Sequence, residues 1–468
     1  MTGELQTDDN GVQDEADDTV DVIVVGMGVA GEAVAGELAK AGLAVVGIEA
    51  NLVGGECPYW GCIPSKMMIR AADLIAETRR VDGMAGTASV TPDWAPVAQR
   101  IREEATDHWN DQVAVDRFVD AGGRFVRGHA TIVGPRSVQV EGRTLTARRG
   151  IVIGTGTVAA VPPIPGLAES PYWTNREAVE TTTLPASLVV IGGGAIGLEL
   201  AQVFSRFGVE VSVVEVAERL LAAEEPESSA LIEGVFRDEG IEVRTGVQLE
   251  RVDHDGDHFS ISLAGGESLA AEKVLVATGR RVDLSGLGVG AVGLDPQARA
   301  VEVDERMRAG DGLWAVGDVT GKGAFTHIGT YQAPIAVRDI LEQDGPTASY
   351  DAVPRVTFTD PEIGSVGLTE AQARDRGLTV RTGLAKVPST ARGWLHKAGN
   401  EGLIKVVVDA DTDLVVGATA AGPNGGEVLG ALAVAVHGQV PVSRLQQMIY
   451  AYPTFHRGIE DALRDLDE

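Results

Sequence analysis

The sequence Asp21-Val-Ile-Val-Val-Gly26-Met-Gly28-Val-Ala-Gly31 joins a β-branched apolar run to a glycine-rich turn. The run predicts a strand buried on both faces. A helix of small residues follows and ends near Gly42, and a second strand, Leu43 to Ile48, ends on Glu49. In a unit of strand, glycine-rich turn, helix, strand and acid, the glycines let the helix N-terminus approach a pyrophosphate. The acid accepts hydrogen bonds from a ribose. The stretch therefore predicts a dinucleotide-binding unit.

A second copy of this pattern begins at Ser187-Leu-Val-Val-Ile-Gly192-Gly-Gly194-Ala-Ile-Gly197. Its helix runs to Gly208, and its next strand, Val209 to Val214, ends on Glu215. The first glycines (26 and 192) and the two acids (49 and 215) are both separated by 166 positions. Two units with matched internal spacing predict that one chain binds two dinucleotides.

The two cysteines, Cys57 and Cys62, lie five positions apart in Gly54-Gly-Glu-Cys-Pro-Tyr-Trp-Gly-Cys-Ile-Pro-Ser-Lys66. A structural disulfide over so short a loop would remove little entropy from the unfolded chain. Two cysteines cannot complete a four-ligand zinc site without histidines, and none is near in sequence. A redox-active dithiol and a pair of small buried hydrophobes both remain open on this pattern alone.

The bulk composition limits the classes of partner. The formal net charge of −29 over 468 residues argues against nucleic acid and anionic membranes. Residues 1–19 are acidic, without the apolar core of a signal peptide, and are expected to form a disordered tail. Because no apolar run reaches the length of a membrane span, a cytoplasmic location is expected, where a disulfide is more often catalytic than structural.

The rest of the chain contains further α/β elements. Short runs between Phe125 and Arg149 predict a β-meander, and Pro162–Pro165 predicts a linker. Leu313–Gly317 predicts a strand ending on Asp318, with a helix beginning near His327. Alternating strand patterns followed by helices after residue 346 predict a separate α+β domain.

Taken together, these landmarks resemble the class I pyridine nucleotide-disulfide oxidoreductases, which include dihydrolipoamide dehydrogenase, glutathione reductase and mercuric reductase. The resemblance covers the chain from about residue 20, and the cysteine block is its most specific part. It implies an α/β fold with two Rossmann-like dinucleotide-binding domains and a C-terminal α+β dimerisation domain. The implied bounds are a tail at 1–19, an FAD domain at 20–162 and 283–345, an NAD(P) domain at 163–282 and an interface domain at 346–468.

The resemblance also implies cofactor residues and a homodimer in which the C-terminal domain completes the partner's active site. The residues implied for FAD are Gly26, Gly28, Gly31, Glu49, Lys66, Gly128, Ala130, Thr155, Gly156, Asp318 and Thr326. Those implied for the nicotinamide nucleotide are Gly192, Gly194, Gly197, Glu215, Val247 and Gly279. An acid at position 215 favours NADH over NADPH, although Arg219, one turn further on, offers a charge for a 2′-phosphate.

The implied reaction passes electrons from NAD(P)H through the flavin to the Cys57–Cys62 disulfide. By this resemblance Cys62 is the thiolate beside the flavin, and Cys57 attacks the outside acceptor. A helix N-terminus favours a thiolate. Lys66 shares a helix face with Cys62 and is expected to pair with Glu199 near the flavin, the alternative being a solvated surface pair.

The chain departs from the family near its C-terminus. Family members that reduce disulfides carry His-Pro there, with a Glu five residues after the His, whereas this chain has Tyr452-Pro453 and Arg457. A tyrosine, with an ordinary pKa of about 10, is a poor base at neutral pH. Mercuric reductases have tyrosine here but add a C-terminal cysteine pair, which this chain lacks.

The expected activity is therefore NAD(P)H oxidation by a flavoenzyme with a small, quinone-like acceptor. A lipoamide- or mercuric-reductase-like activity and, in another class, a flavin-binding redox sensor or interaction subunit are the alternatives. His456 and Glu460, on a helix expected to be capped by Thr454, form either a displaced acid–base pair or a surface pair. Tyr59 and Trp60 either pack the turn or face a flat acceptor. His254 and His258 are expected to be solvated, and no metal site is predicted.

Overall fold

The computed structural model describes residues 18–466. The predicted disordered tail lies outside the described residues except at its end. There the prediction was wrong by one residue, because the first strand begins at Thr19, whose backbone pairs with Thr146. Within residues 18–466, no helix is both long and apolar enough to cross a membrane.

The strands are numbered in chain order. They are β1 Thr19–Val25, β2 Val45–Glu49, β3 Arg124–Arg127, β4 Thr131–Gly134, β5 Ser137–Val140, β6 Arg143–Ile153, β7 Val158–Ala159, β8 Ser187–Ile191, β9 Glu210–Val214, β10 Glu242–Arg244, β11 Leu249–His254, β12 Phe259–Leu263, β13 Ser268–Ala271, β14 Lys273–Val276, β15 Arg280–Arg281, β16 Arg308–Gly310, β17 Leu313–Ala315, β18 Pro354–Thr357, β19 Glu362–Gly367, β20 Val380–Lys386, β21 Leu403–Asp409 and β22 Leu414–Gly422.

The helices are identified by their residue ranges. The α-helices are Val29–Lys40, Glu56–Tyr59, Cys62–Arg79, Ala95–Arg100, Gln112–Asp120, Asn175–Glu180, Ala195–Arg206, Pro226–Asp238, Thr326–Ile340, Glu370–Asp375, Ala391–His396, Gly425–His437, Val442–Gln446 and Gly458–Asp465. A π-helix spans Ile101–Ala105, and 3₁₀ turns span Val289–Val292, Asp318–Thr320 and Val387–Ser389.

The first of two compact units comprises the described residues up to Ile63, with Arg102–Val158 and Arg280–Ser349. Its sheet has the order β16-β17-β6-β1-β2-β3, and the path from β17 to β3 is parallel. Strands β4 and β5 extend from β6 as the predicted antiparallel meander. The carboxyl ends of parallel strands meet at one edge of a sheet, so this edge gathers the residues that follow β1, β2, β3, β6 and β17.

The second unit comprises Pro64–Ile101, Ala159–Gly279 and the described residues from Tyr350 onward. Its parallel sheet has the order β10-β9-β8-β14, beside a three-stranded antiparallel sheet, β11-β12-β13. The predicted α+β region forms a five-stranded antiparallel sheet, β18-β19-β22-β21-β20. The helix Gly425–His437 packs its apolar residues on that sheet, in the core that includes Val406 and Leu429.

Both glycine turns are built in the same way. A Cβ at Gly31 would lie 1.9 Å from the carbonyl oxygen of Gly26, and one at Gly197 would lie 2.2 Å from that of Gly192. Each first glycine also has a left-handed φ, +89° at Gly26 and +115° at Gly192. Any larger residue at these positions would push the helix away from the turn, so the matched sequence spacing reflects matched packing.

Candidate active site

The cysteine turn packs against the first glycine turn. Gly54 bridges to Gly28, and a Cβ at Gly55 would lie 2.9 Å from the Cα of Gly28. Cys57 lies in the short helix Glu56–Tyr59, and Cys62 is the first residue of the helix Cys62–Arg79. The two glycines, with φ of +103° and +69°, therefore allow the cysteine block to approach the predicted FAD turn.

Both cysteines are thiols in this structure, and they are hydrogen-bonded to each other. The hydroxyl oxygen of Thr326 lies 3.3 Å from Cys62 Sγ and also contacts Cys57. The hydrogen bond with Cys62 and then burial raise the pKa of Cys57 well above its usual range. The raised pKa favours the protonated thiol at Cys57.

The acid Glu49 fixes the first glycine turn. Its two carboxylate oxygens accept hydrogen bonds from the backbone N–H groups of Met27 and Asn51, both at 2.8 Å. The FAD residues implied by the resemblance lie in the first unit except Lys66, and several directly follow parallel strands. After β3 comes Gly128, after β6 come Thr155 and Gly156, and after β17 comes Asp318, while Thr326 begins its own helix.

Sequence reasoning missed Thr157, which contacts Asp318, and Arg280, which contacts Thr157. Thr157 donates its hydroxyl hydrogen to Asp318 Oδ2 at 2.8 Å. Arg280 donates from Nε to Thr157 Oγ1 at 2.7 Å and from a terminal nitrogen to Thr157 O at 2.6 Å. Thr157 directly follows Thr155-Gly156 after the end of β6, and Arg280 directly follows Thr278-Gly279 after the end of β14. Their position after these strand ends was the available signal.

The second glycine turn repeats the geometry of the first. Glu215 accepts from the backbone N–H groups of Gly193 at 2.6 Å and Ala217 at 2.7 Å. Val247 donates its N–H to Glu215 O at 3.1 Å, and Gly279 follows β14 at the same edge of the sheet. Gly194 caps the helix Ala195–Arg206. The predicted nucleotide residues therefore lie together at one sheet edge.

The hydrogen bonds of Arg219 are made with groups other than Glu215. Its guanidinium donates to the carbonyls of Leu221 and Ala222 and to the Ser229 hydroxyl, at 2.7–3.1 Å. Because these contacts engage both terminal nitrogens, a 2′-phosphate would have to break them to recruit this charge.

We expect NADH to be preferred over NADPH by at least about tenfold in kcat/KM. A 2′-phosphate about 4 Å from the Glu215 carboxylate would meet roughly 4 kcal/mol of repulsion at an effective dielectric constant of about 20. Steady-state kinetics with both nucleotides measures the ratio, with Arg219→Met as a control that should change it little. Equal or better kcat/KM with NADPH would contradict this prediction.

The predicted pair of Lys66 and Glu199 is formed. Lys66 Nζ lies 2.8 Å from Glu199 Oε2, and the side chain of Glu199 is only 7% exposed, so the pair is not a solvated surface pair. Phe358, which the sequence did not indicate, donates its backbone N–H to Glu199 Oε1 at 2.8 Å. Its ring centroid lies 4.5 Å from Lys66 Nζ, a cation–π contact that holds the ammonium from a second side.

A buried arginine anchors the helix that carries Lys66. Arg206, whose side chain is 3% exposed, pairs with Asp73, Glu239 and Asp360 at 2.7–2.8 Å. Burial raises the pKa of Asp73 to about 6, against the opposing charge of Arg206. Asp73 lies on the same helix as Lys66, two turns further on, so this cluster fixes the helix relative to Arg206.

A cavity of about 630 Å³ opens beside Cys57. One wall is the helix Val29–Lys40, and the opposite wall includes the helix Gln112–Asp120. Its apolar lining includes Val29, Ala33, Val53, Pro58, Val113, Ala114 and Phe118. Its volume lies in the usual range for a site that holds a small organic molecule.

The aromatic residues between the cysteines are buried, as the packing interpretation predicted. Tyr59 and Trp60 are 6% and 9% exposed, and their ring centroids are 5.8 Å apart. Tyr59 nevertheless also lines the cavity beside Cys57. Burial first, and then the charges of Asp111 and Glu32, raise the pKa of Tyr59, which therefore stays a neutral phenol.

The prediction for the C-terminal helix was wrong. The helix begins at Gly458, not near Thr454, and Thr454 donates its hydroxyl hydrogen to Ala451 O instead of capping a helix. His456 therefore precedes the helix that carries Glu460. Glu460 pairs with Arg457 at 3.0 Å and also with Arg464. Its charge is thus balanced by two arginines, which does not favour an acid–base pair with His456.

Tyr452 is 70% exposed, and Arg457 stands over its ring with the guanidinium carbon 5.2 Å from the centroid. The two residues that replace the family's His and Glu are therefore in contact. A cation–π contact holds the tyrosine ring but supplies no group that accepts a proton at neutral pH.

The first glycine turn and Asp318 fit the two polar parts of FAD. A Cβ at Gly26 would lie 2.5 Å from Gly154 O, so only the bare backbone fits at the helix N-terminus, where a pyrophosphate binds. Asp318 is a carboxylate with accepting oxygens for hydroxyl groups, as a ribityl chain requires. The residues present therefore match the chemistry of this cofactor.

Residues 20–337 match the family model described as pyridine nucleotide-disulphide oxidoreductase, and residues 353–463 match its dimerisation domain. The chain belongs to this family, whose members use FAD and NAD(P)H. The predicted family and fold class are thus confirmed.

Two relatives show how the family divides. A mercuric reductase from Bacillus cereus is 32% identical over 98% of this chain and 73% of its own length. A dihydrolipoyl dehydrogenase from Thermus scotoductus is 34% identical over 96% of this chain and 97% of its own length. Because both activities occur at similar identity, identity alone does not select an acceptor.

A solved structure is similar over almost the whole chain. The Cu(II) complex of the HOCl-induced flavoprotein disulfide reductase RclA from Escherichia coli has a TM-score of 0.84 at 27% identity. The match covers 95% of this chain and 99% of that one. It agrees with the family assignment.

Proposed function

We propose that this chain is an NADH-dependent FAD oxidoreductase that reduces a small, flat, largely apolar acceptor of the quinone class. The observation that carries this proposal is the partly apolar cavity of about 630 Å³ at Cys57. The chain also carries the dithiol and the Lys66–Glu199 pair, and Tyr452 stands where family members that reduce disulfides have a histidine. When bound, FAD supplies the transfer of electrons between the nicotinamide and the dithiol.

In this proposal, Gly26, Gly28, Gly31, Glu49 and Asp318 hold FAD. Lys66, Gly128, Ala130, Thr155, Gly156 and Thr326 line the same cofactor. The second turn, with Gly192, Gly194, Gly197, Glu215, Val247 and Gly279, holds the nicotinamide nucleotide.

The side chains have separate tasks. Cys57 lines the acceptor cavity, while Cys62 Sγ and the Thr326 hydroxyl oxygen lie 3.3 Å apart. Glu199 orients Lys66 through the ion pair at 2.8 Å. Because Tyr452 offers no base, the acceptor must be one whose reduction does not depend on proton transfer at sulfur.

The charges around the cavity disfavour glutathione disulfide, which carries a net negative charge. Three carboxylates, on Glu32, Glu37 and Asp107, line the cavity beside two cations, Lys40 and Arg117. Arg117 Nε donates to Glu32 at 3.0 Å, so one of the cations is already paired. An anionic substrate would therefore meet a net negative rim, whereas a neutral apolar acceptor would not.

A soft metal ion is the second candidate acceptor. The two thiols are in contact, and Cys62 is exposed, so a thiophilic ion has access to sulfur ligands. The mercuric reductase relatives and the Cu(II) complex of the RclA structure support this candidate.

We further propose a cytoplasmic homodimer. Three large apolar side chains are exposed within the region that matches the dimerisation domain. The exposed fractions are 97% for Ile449, 72% for Trp394 and 70% for Tyr452. Large exposed apolar side chains indicate a surface that another protein covers. In such a dimer, Tyr452 and His456 belong to the partner's acceptor site.

An anaerobic spectrum tests whether the chain turns over or only senses the redox state. NADH is expected to bleach the flavin absorption and raise a long-wavelength thiolate–flavin band, because the dithiol, Lys66 and Glu199 are all in place. A screen of acceptors under steady-state NADH oxidation then identifies the class. If NADH changes neither absorption feature, the enzyme proposal fails and a flavin-binding sensor gains support.

A further inference from the structure

Arg280 connects the cysteine turn to Asp318. Its guanidinium bonds Thr157 twice, and the Thr157 hydroxyl bonds Asp318, at 2.6–2.8 Å throughout. On its other side, the Arg280 guanidinium lies 3.8 Å from the carboxylate of Glu56, the residue before Cys57. The Arg280 side chain is only 17% exposed, so these contacts are made largely away from solvent.

The Asp318 carboxyl group is largely buried, and burial disfavours its charged form. Burial raises its pKa, the Thr157 hydrogen bond and the Arg280 charge lower it, and the Glu56 charge raises it again. Thr157, Arg280 and Glu56 are thus the charged and hydrogen-bonding side chains that set whether this carboxyl is ionised. Asp318, Thr157 and Arg280 also line one cavity, of about 670 Å³, so the group they control faces a space that a ligand can enter.

We propose that Arg280 and Thr157 are positioning residues for Asp318, and that Glu56 tunes the charge that Arg280 delivers. Arg280 fixes Thr157, whose hydroxyl holds one carboxylate oxygen and so orients the other. The inference rests on the proposed role of Asp318 in holding FAD. Cofactor affinity would then depend on residues outside the glycine turn, including Glu56, which precedes Cys57.

The physical reason is the difference between a carboxylate and a carboxylic acid. An ionised carboxylate accepts hydrogen bonds from hydroxyl groups at both oxygens, whereas a protonated one has lost part of that capacity. FAD affinity is therefore expected to fall as the pH drops through the pKa of Asp318. Removing the Arg280 charge removes an influence that lowers this pKa, so the fall should occur at a higher pH. Removing the Glu56 charge should move it to a lower pH.

The test is the FAD dissociation constant, measured from flavin fluorescence on dilution of the holoenzyme in a series of buffers from acidic to alkaline pH. Thr157→Val removes a hydrogen bond to a charged group and should raise the dissociation constant roughly ten- to a hundredfold at neutral pH. Thr157→Ser keeps the hydroxyl and should restore most of the affinity. Arg280→Met should move the pH midpoint up, Arg280→Lys should move it less, and Glu56→Gln should move it down.

Arg143→Met is the matched control, because Arg143 pairs with Asp18 in the same unit and should change neither the affinity nor its pH midpoint. Far-UV circular dichroism and the melting temperature identify variants that do not fold. If Asp318→Asn leaves the FAD affinity unchanged, the cofactor role of Asp318 fails. If that variant weakens binding but the pH midpoint is the same in Arg280→Met, Glu56→Gln and the unmodified protein, the positioning role is overturned instead.

Discussion

Replacing Cys57 with serine is expected to lower turnover with disulfide or metal acceptors by at least about a thousandfold, because it removes the attacking sulfur. Flavin binding should survive, since no predicted FAD contact depends on this side chain. Quinone reduction should fall much less, because a quinone can draw electrons from the reduced flavin. The measurement is kcat/KM for each acceptor class together with the flavin content.

Cys62→Ser is the matched variant. It removes the sulfur that is expected to be the thiolate beside the flavin, so the long-wavelength band should disappear while Cys57 is still present. The pair of variants therefore separates the thiol at the cavity from the thiol beside Thr326. Full turnover of Cys57→Ser with every acceptor would show that the dithiol is a bystander.

A naphthoquinone is expected to exceed lipoamide in kcat/KM, because lipoamide reduction requires proton transfer at sulfur. A positioned imidazole contributes about 10²–10⁴-fold to such a step. Here that position holds Tyr452, under the guanidinium of Arg457. The experiment compares lipoamide, glutathione disulfide and a naphthoquinone at one NADH concentration.

Variants at the C-terminus sharpen this comparison. Tyr452→His alone should add little lipoamide activity, because Arg457 offers no carboxylate to orient an imidazole. The double variant Tyr452→His, Arg457→Glu supplies both groups and should raise lipoamide activity selectively. Lipoamide outpacing the quinone in the unmodified protein would refute the prediction. In that case His456→Ala should abolish the lipoamide activity, since His456 would be the displaced base.

The family and the fold class were predictable because they depend on local chemistry. Glycines at 26, 31, 192 and 197 are required by atomic contacts below 3 Å, and such contacts leave a fixed pattern in the sequence. The pair of Lys66 and Glu199 was also predictable, since both residues lie within or beside these motifs. The predicted domain boundaries and residue roles stay predictions.

The residues that sequence reasoning missed are those whose role depends on tertiary contact. Phe358 contributes a backbone N–H to Glu199 and a ring face to Lys66. Neither contact can be inferred from the presence of a phenylalanine in the sequence. Arg280 meets Thr157 across 123 positions of sequence. The helix at the C-terminus was placed too early because Thr454 has the side chain of a helix cap, but its hydroxyl is used within the preceding turn.

The acid that ends β2, Glu49, and the acid that follows β9, Glu215, are both held in place by the protein itself. Both carboxylate oxygens of Glu49 and of Glu215 already accept from backbone N–H groups. Immobilising a rotamer-rich side chain at a binding site costs roughly 0.5–1.5 kcal/mol. Because folding has already restricted both glutamates to one rotamer, most of that entropy is lost before association. In the proposed function, each nucleotide would meet an acceptor whose direction is set in advance, and the discrimination between a ribose hydroxyl and a phosphate at Glu215 would be correspondingly rigid.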